Sequence, residues 1–246
     1  MLGLQHPSVI RENRSNSSNR SHIINSLIEE SCRDSRYPQD ALRWIPFESF
    51  KSIQYFTKGE FAEIALAFHR RNECNQIHDY EKKEIPDDIA LRFIKNSRMV
   101  DEKLVNELRL LHHKQIRTHH KCMMHSQNVI PLYGLTQDPR TLDYALVLKH
   151  ARHGDLRNFL RRSLTWSEKL SMLIKIAKTL KEIHELNLVH RDFHCKNILV
   201  DDNDFPSNSY ELFVSDFGLC MDVSSSKIDL NVIEGVLPYI APEILV

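Results

Sequence analysis

The sequence predicts an α+β fold of two lobes, with a strand-rich lobe at residues 42–148 and a helical lobe at residues 149–246. Two patterns support this division. Apolar residues alternate with a period of two between residues 88 and 94, which is typical of a strand. From residue 100 to 113, and again after Thr165, they recur with the period of a helix. We therefore expect strands and one main helix first, and mostly helices afterwards.

Length and composition exclude several classes of protein. The chain has 246 residues and a formal net charge of +0, so it can bury a core and lacks the positive field that favours nucleic acid as a partner. No apolar run is long enough to span a bilayer, and the N-terminus does not resemble a signal peptide. The 5 cysteines form no C-x-x-C pair, which indicates free thiols in a reducing compartment. We expect a cytoplasmic protein without a membrane or nucleic-acid partner.

The first 41 residues are predicted to be a disordered leader. The stretch Arg14-Ser15-Asn16-Ser17-Ser18-Asn19-Arg20 is typical of a segment that buries too little apolar surface to offset its chain entropy. Residues 23–28 are expected to form at most a brief helical turn. Order is expected to begin near Leu42, at the start of the first lobe.

The first lobe contains a predicted strand followed by a predicted helix. The period of two places Ala90, Arg92 and Ile94 on one face of the strand. In the helix, Glu107 lies on or beside an apolar stripe. Because a carboxylate is costly to bury alone, it needs a cation, and Arg92 is the natural partner.

The second lobe begins with a predicted long helix. Thr165-Trp166-Ser167-Glu168 is a capping box, in which Thr165 accepts a backbone N–H and Glu168 reaches back. A helical apolar series then continues to about residue 186, where Asn187 is placed to end the helix. The chain passes from there directly into the first chemical motif.

Three motifs follow in order, namely His190-Arg191-Asp192-Phe193-His194-Cys195-Lys196-Asn197, Asp216-Phe217-Gly218 and Ala241-Pro242-Glu243. Together they are typical of a protein kinase. Phosphoryl transfer from ATP depends mainly on positioning and charge neutralisation. Asp192 is expected to orient the substrate hydroxyl and accept its proton, with Lys196 as a further catalytic candidate. Asn197 and Asp216 are the expected Mg²⁺ ligands, since a hard cation prefers oxygen donors.

The nucleotide-binding elements of the first lobe depart from the expected pattern. The stretch at residues 57–64 aligns with a glycine-rich phosphate loop but keeps only Gly59, beside Phe61. At position 92, Arg92 stands where lysine pairs with the phosphates of ATP and with the helix glutamate. A guanidinium is bulkier and less point-like than an ammonium, so we expect Arg92 to pair well with Glu107 and poorly with ATP.

From Trp44 onward the chain resembles a protein kinase of the tyrosine-kinase-like group. It is most similar to the expanded kinase families of mycorrhizal fungi, on Arg43-Trp44-Ile45-Pro46, Gly134-Leu135-Thr136-Gln137-Asp138-Pro139 and Gly235-Val236-Leu237-Pro238-Tyr239-Ile240-Ala241-Pro242-Glu243. The resemblance implies a bilobal protein-kinase fold with Val147 beside the adenine as gatekeeper. It implies a hinge from Lys149 to Ala151, an adenine sandwiched by Ala90, Ile64 and Leu199, and an activation loop at residues 218–235.

The resemblance also bears on the acceptor and on the second lobe. The stretch at residues 235–243 favours Ser/Thr acceptors, although His194 fits neither the serine/threonine nor the tyrosine pattern after Asp192. The family continues with further helices after Ala-Pro-Glu. We therefore expect a truncated second lobe, which would leave apolar residues of the helix at residues 170–183 exposed.

Three functional interpretations follow. The first is a protein kinase using ATP and Mg²⁺ on a protein substrate, impaired by Arg92 and by the shortened second lobe. The second is a catalytically inactive pseudokinase that acts as an interaction scaffold for a signalling partner. The third is a zinc site at His112-His113 and at His119-His120-Lys121-Cys122-Met123-Met124-His125, whose spacing matches no standard finger. Structural histidines in a connection after the first-lobe helix are the favoured reading of that segment.

Overall fold

A computed structural model describes residues 22–35, 40–58, 62–70, 85–94, 102–202, 210–223, 237–240 and 242. The chain divides into two units, the first comprising residues 1–120 and 131–150 and the second residues 121–130 and 151–246. The first unit is rich in strands and the second carries most of the shorter elements around one long helix. This confirms the predicted α+β class and the strand-rich N-terminal part.

The first unit is built on a six-stranded sheet. Its strands are β1 (Arg43–Trp44), β2 (Phe50–Lys58), β3 (Ala62–His69), β4 (Asp88–Ile94), β5 (Leu132–Gln137) and β6 (Tyr144–Lys149). They lie in the order β1-β5-β6-β4-β3-β2. The pairing of β1 with β5 is parallel, and the other pairings are antiparallel.

One face of this sheet carries the core of the first unit. In β4, Ile89, Leu91 and Phe93 are buried, whereas Ala90 and Arg92 are half-buried on the opposite face. The strand and its period-two pattern are thus as predicted. The core cluster consists of Ile45, Phe50, Ala65, Ala67, Ile89, Leu91, Phe93, Tyr133, Ala145 and Val147.

A glycine allows β1 to join the sheet. Arg43 pairs with Gly134 and Trp44 with Leu135, and the Ile45 N–H donates to the Leu135 carbonyl at 2.8 Å. A Cβ on Gly134 would overlap the backbone carbonyl oxygen of Arg43. Any larger residue at 134 would therefore push β1 away from β5.

The N-terminal segment differs from the disordered leader that the sequence predicts. Residues His22–Asp34 form helix α1, in which Ile24, Leu27 and Ile28 are buried. Their spacing places them on one stripe of the helix, so a few apolar residues anchor a segment whose average composition is polar. The boundary at residue 42 stays a prediction, and residues 1–21 lie outside the described residues.

Helix α1 is tied to helix α2 (Glu102–His125) and to the chain before β1. The guanidinium of Arg117 lies 3.7 Å from the carboxylate of Glu30. The Nε2 atom of His120 donates to the Asp40 carbonyl at 2.8 Å, and the Leu42 N–H donates to the Ser31 hydroxyl at 3.0 Å. These bonds fix the route from α1 to β1.

Helix α2 is longer than the sequence pattern indicates. The predicted helix ends at residue 113, but α2 has 24 residues in all and ends at His125. The histidine-rich stretch therefore lies inside the helix and not in a connection after it. The reason is local: residues 114–125 contain neither Gly nor Pro, so nothing in that stretch ends the helix.

The second unit contains short helices, short strand pairs and one long helix. Its elements are α3 (Leu156–Phe159), α4 (Trp166–Glu185), β7 (Leu188–Val189), β8 (Ile198–Asp202), β9 (Tyr210–Val214) and β10 (Met221–Asp222). Strands β8 and β9 pair antiparallel, as do β7 and β10. Single-turn 3₁₀ helices lie at Phe217–Leu219 and Leu237–Tyr239.

Helix α4 begins and ends as predicted. The Thr165 N–H donates to the Glu168 carboxylate at 2.7 Å, and the Glu168 N–H donates to the Thr165 hydroxyl at 3.3 Å. Asn187 follows the helix with φ 58, a left-handed conformation that Asn tolerates. Ile183 is buried, but a stripe on the other side of the helix is exposed, namely Trp166, Leu170, Leu173 and Ile174.

Candidate active site

The loop between β7 and β8 carries the first motif in a strained backbone. Arg191 has φ 65, and Asp216, just after β9, has φ 62. Non-glycine residues in this region cost on the order of 1 kcal/mol or more, and such strain is concentrated at functional sites. The packing around His190 and Phe217, both buried, holds the two segments in these conformations.

Asp192 is held by hydrogen bonds from Asn197, and its second carboxylate oxygen faces His194. The Asn197 side-chain amide donates to Asp192 Oδ2 at 2.8 Å and to the Asp192 carbonyl at 2.9 Å. On the other oxygen, His194 Nε2 lies 3.5 Å from Asp192 Oδ1. The candidate base therefore has a defined orientation within the second unit.

His190 joins the loop to the Asp-Phe-Gly segment. Its Nε2 atom donates to the Ser215 carbonyl at 3.1 Å, and its Nδ1 atom accepts the Asp192 N–H at 3.4 Å. The ring lies 5.1 Å from that of Phe217 between centroids. Burial lowers the pKa of His190, so the imidazole is neutral, as this bonding requires. His190 and Phe217 are thus packing residues of the second unit.

Asn197 and Asp216, the two expected metal ligands, are linked through one residue. The Ser215 N–H and hydroxyl both donate to the Asn197 carbonyl, at 2.8 Å and 3.0 Å. The Asp216 carboxylate accepts the Gly218 N–H at 3.4 Å. An amide oxygen and a carboxylate suit Mg²⁺, which commonly takes one or two protein ligands plus substrate phosphates.

The described histidines are not assembled for zinc. His120 bonds to the Asp40 carbonyl, and His125 Nε2 lies 3.4 Å from a Glu185 carboxylate oxygen. Within the described residues, no three His, Cys, Asp or Glu side chains are grouped to hold a metal ion. The side chains of His112 and His113 lie outside the described residues.

Arg92 lies on the face of the sheet opposite the core. It is half-buried and directly opposite Ile64 on β3 and Leu146 on β6, and Ala90 shares its face. The Glu107 side chain, together with Gly59 and Phe61, lies outside the described residues. The Arg92–Glu107 pair and the phosphate loop therefore stay predictions.

The register of β6 differs from the gatekeeper assignment. Val147 is opposite Leu91 and belongs to the buried core cluster, on the face away from Ala90. Leu148 is opposite Ala90 and shares its face. A shift of one residue along a strand exchanges the two faces, so the pairing of β6 with β4, which the sequence alone does not reveal, decides which residue faces Ala90.

The remaining predicted residues lie on either side of the division between the units. The Lys149 N–H, in the first unit, donates to the Pro131 carbonyl at 2.9 Å, so it is not available to a nucleotide. Ala151 is buried and Leu199 is half-buried on β8, both in the second unit. Lys196 is exposed in the loop beside Asn197.

Comparison with known proteins identifies the family. Residues 50–246 match the family described as protein tyrosine and serine/threonine kinase. The chain is 26% identical to Protein sevenless of Drosophila melanogaster over 82% of its length, and 26% identical to Aurora kinase of Schizosaccharomyces pombe over 76%. It is 28% identical to Cysteine-rich receptor-like protein kinase 1 of Arabidopsis thaliana over 61%.

The matches cover a part of each relative. The chain spans 8% of Protein sevenless, 45% of Aurora kinase and 23% of the Arabidopsis protein. Within the described residues no helix is both long and apolar enough to cross a membrane. The match to the family nevertheless includes the loop of Asp192, the segment of Asp216 and the strand of Arg92, and on that basis the chain belongs to the protein kinase family.

Proposed function

We propose that this chain binds ATP with Mg²⁺ and transfers the γ-phosphoryl group to serine or threonine hydroxyls of a protein substrate. The observation that carries the proposal is the orientation of Asp192, whose Oδ2 is held by Asn197 at 2.8 Å. A general base must be within reach of the proton it accepts and must have a defined direction. The same loop is joined through Ser215 to Asp216, the second proposed ligand of Mg²⁺.

The proposed reaction assigns one task to each group. Asp192 accepts the proton of the substrate hydroxyl as the hydroxyl oxygen forms its bond to the γ-phosphorus and the bond to ADP breaks. Asn197 and Asp216 hold Mg²⁺, which neutralises charge on the phosphates. On the first unit, Ala90 and Ile64 are the proposed adenine contacts, with Leu148 in the position first assigned to Val147. Leu199, on the second unit, is the adenine contact that the resemblance to protein kinases implies. Lys196 is exposed and can meet the substrate.

Turnover is proposed to be impaired by Arg92. Its half-buried position on β4, opposite Ile64, is where an ammonium would be fitted to the phosphates. A guanidinium there needs more room and presents a planar set of donors. Loss of one positioned electrostatic stabiliser costs about 10²–10³ in rate at comparable sites. We therefore expect slow phosphoryl transfer.

The alternative is a pseudokinase that binds a nucleotide or a signalling partner without turnover. Arg92 and the sparse glycines of the phosphate loop favour it, whereas the intact Asp192, Asn197 and Asp216 favour a kinase. We also propose membership of the tyrosine-kinase-like group, close to the expanded families of mycorrhizal fungi, and a cytoplasmic location. These finer assignments rest on the sequence motifs alone.

Thermal unfolding with nucleotide tests the proposal first. The melting temperature of the wild type and of Arg92→Lys is measured with ATP in Mg²⁺ and with ATP in EDTA. A ligand at 100 times its Kd stabilises the native state by about 2.7 kcal/mol, so a real site shifts the melting temperature with ATP concentration. We expect a shift only with Mg²⁺, and a larger one for Arg92→Lys.

Phosphate transfer from radiolabelled ATP to a generic protein substrate then separates the two functions. The kinase proposal expects slow transfer by the wild type, about 10²-fold faster transfer by Arg92→Lys, and transfer about 10²–10⁴-fold slower than the wild type by Asp192→Asn. If the wild type and Arg92→Lys both bind ATP but neither transfers phosphate, the pseudokinase is established instead. No binding and no transfer would contradict both.

A further inference from the structure

His194 is a buried polar side chain that the proposed reaction does not yet use. Only 8% of it is exposed, and its Nδ1 atom has no hydrogen-bond partner among the described residues. Its other nitrogen, Nε2, lies 3.5 Å from Asp192 Oδ1. Leaving the buried Nδ1 unpaired costs stability, so packing alone does not account for a histidine at this position.

A second contact narrows the rotation of the Asp192 carboxylate. A terminal carboxylate rotates over a broad range of χ2, and a donor on each oxygen restricts that rotation more than one donor does. Asn197 donates to Oδ2, and His194 faces Oδ1. Nε2 is the ring nitrogen of His194 on the side of this carboxylate oxygen, so a proton on Nε2 lies between the two groups. Catalytic hydrogen bonds are often long before substrate binds, so 3.5 Å is compatible with a contact that tightens on binding.

The backbone and the ring of His194 each make a contact that restrains them. The His194 carbonyl accepts the Asn197 N–H at 2.9 Å, which fixes its backbone. The ring of Tyr239 lies 5.4 Å from the imidazole between centroids. The Tyr239 hydroxyl is 3.1 Å from the Cys195 thiol, within hydrogen-bond reach for sulfur. Cys195 is the neighbour of His194, so this bond keeps the aromatic ring beside the imidazole.

We propose that His194 is a positioning residue for Asp192: its Nε2–H orients Oδ1 while Asn197 orients Oδ2, and Tyr239 seats the imidazole. The inference rests on the proposed phosphoryl transfer. It assigns His194 to the transfer step and not to nucleotide binding, because it acts through Asp192. A misplacement of about 1 Å in such a group can cost about 10²-fold in rate.

Two substitutions separate positioning from packing. In His194→Gln the side-chain amide nitrogen can reach the place of Nε2, whereas in His194→Asn it reaches only as far as Nδ1. Transfer from Mg²⁺-ATP to casein is measured for kcat and for the KM of ATP, with Asp192→Asn as the zero reference. His184→Asn, at an exposed histidine of α4, is the matched control.

We expect His194→Asn to lower kcat about 10²-fold with an unchanged KM for ATP, and His194→Gln to stay within about tenfold of the wild type. The His184→Asn control should behave as the wild type. If the wild type is active and His194→Asn has the same kcat, the role of His194 is overturned. It is also overturned if His194→Asn and His194→Gln lose the same amount of kcat. The proposed function stands in both cases. A wild type no faster than Asp192→Asn overturns the proposed function and the inference with it.

Tyr239→Phe keeps the test decisive if His194→Asn melts at a lower temperature. This variant keeps the ring and removes the hydroxyl that bonds Cys195, at a side chain that is largely exposed. We expect a kcat about tenfold below the wild type at an unchanged melting temperature. If the kcat of Tyr239→Phe equals that of the wild type, Tyr239 does not hold the imidazole in place. If His194→Asn is also destabilised, the same result overturns the entire proposal for His194.

Discussion

The loop at residues 190–197 and the N-terminal segment at residues 22–45 each use a buried histidine, but they are built in opposite ways. His190 donates to the Ser215 carbonyl and His120 to the Asp40 carbonyl. In the loop, polar side chains restrain Asp192: His190 accepts its N–H, and Asn197 donates to its carboxylate and to its carbonyl. In the N-terminal segment, the buried side chains of α1 are mostly apolar, with Leu27 only 1% exposed.

The difference explains why one region is evident from sequence and the other is not. Phosphoryl transfer requires particular functional groups at particular spacings, so its residues form a motif. Docking of α1 requires only a few apolar side chains on one stripe. Many polar sequences contain such a stripe by chance, so it does not stand out as a motif. Changes in the loop should therefore alter rate without altering stability. Changes in the N-terminal segment should do the reverse.

The largest expected effect is that of Asp192→Asn. It removes the proton acceptor and leaves a side chain of nearly equal shape, so kcat should fall by about 10²–10⁴-fold while the melting temperature stays within about 2 °C. Asp88→Asn, at an exposed aspartate of β4, is the control and should change neither. Transfer from radiolabelled ATP and a thermal melt measure both. A large fall in melting temperature would contradict the comparison.

Leu27→Ala should be the largest change in stability. Truncating a fully buried leucine costs about 2–5 kcal/mol of unfolding free energy, while kcat is expected to change little. Leu173→Ala is the matched control, because Leu173 is 57% exposed on α4. The control should stay within about 0.5 kcal/mol of the wild type in urea denaturation. Equal losses in the two variants would mean that α1 is not anchored through Leu27.

Gly134→Ala should weaken the pairing of β1 with β5. The added methyl overlaps the Arg43 carbonyl, and such overpacking costs about 1–3 kcal/mol. Hydrogen exchange at the Ile45 amide, which donates to Leu135, should accelerate more than exchange at the β8–β9 ladder in the second unit. Uniform acceleration in both places would indicate global unfolding and not local displacement of β1.

The smallest effect is a pH dependence from His120. Burial lowers the pKa of His120, against the opposing effects of the Asp40 carbonyl and of the Asp34 and Asp40 charges. The unfolded chain, with an imidazole pKa of about 6.5, therefore binds protons first as pH falls. The contribution of neutral His120 to the free energy of unfolding is complete above about pH 6.5. It is lost as the pH falls from there toward the lower pKa of His120 in the native state.

His120→Gln isolates that contribution. The amide nitrogen of Gln can still donate to the Asp40 carbonyl but does not titrate. Between pH 7.5 and 5.5 we expect the melting temperature of the wild type to fall further than that of the variant. Expressed as free energy of unfolding, the difference between the two proteins should be less than about 1.4 kcal/mol per pH unit. Parallel losses in the two proteins would assign the pH dependence to other groups.

Local patterns were enough for part of this structure. The strand Asp88–Ile94 and the capping box of Thr165 and Glu168 depend on neighbours in sequence, and both are as predicted. The exchange of Val147 for Leu148 shows the limit, since the face of a strand depends on its register with another strand. The extent of α1 depends on residues distant in sequence, as in the ion pair between Glu30 on α1 and Arg117 on α2.

The pairing of two residues, Arg43–Trp44, has a consequence for self-association. Without β1, the six-residue strand β5 would form the border of the sheet, and five of its six side chains are buried. A long apolar border with open N–H and C=O groups pairs readily with another chain, whereas a border strand of two residues offers little to pair with. Loss of β1 should therefore appear first as oligomers that grow with protein concentration, before any loss of the folded second unit.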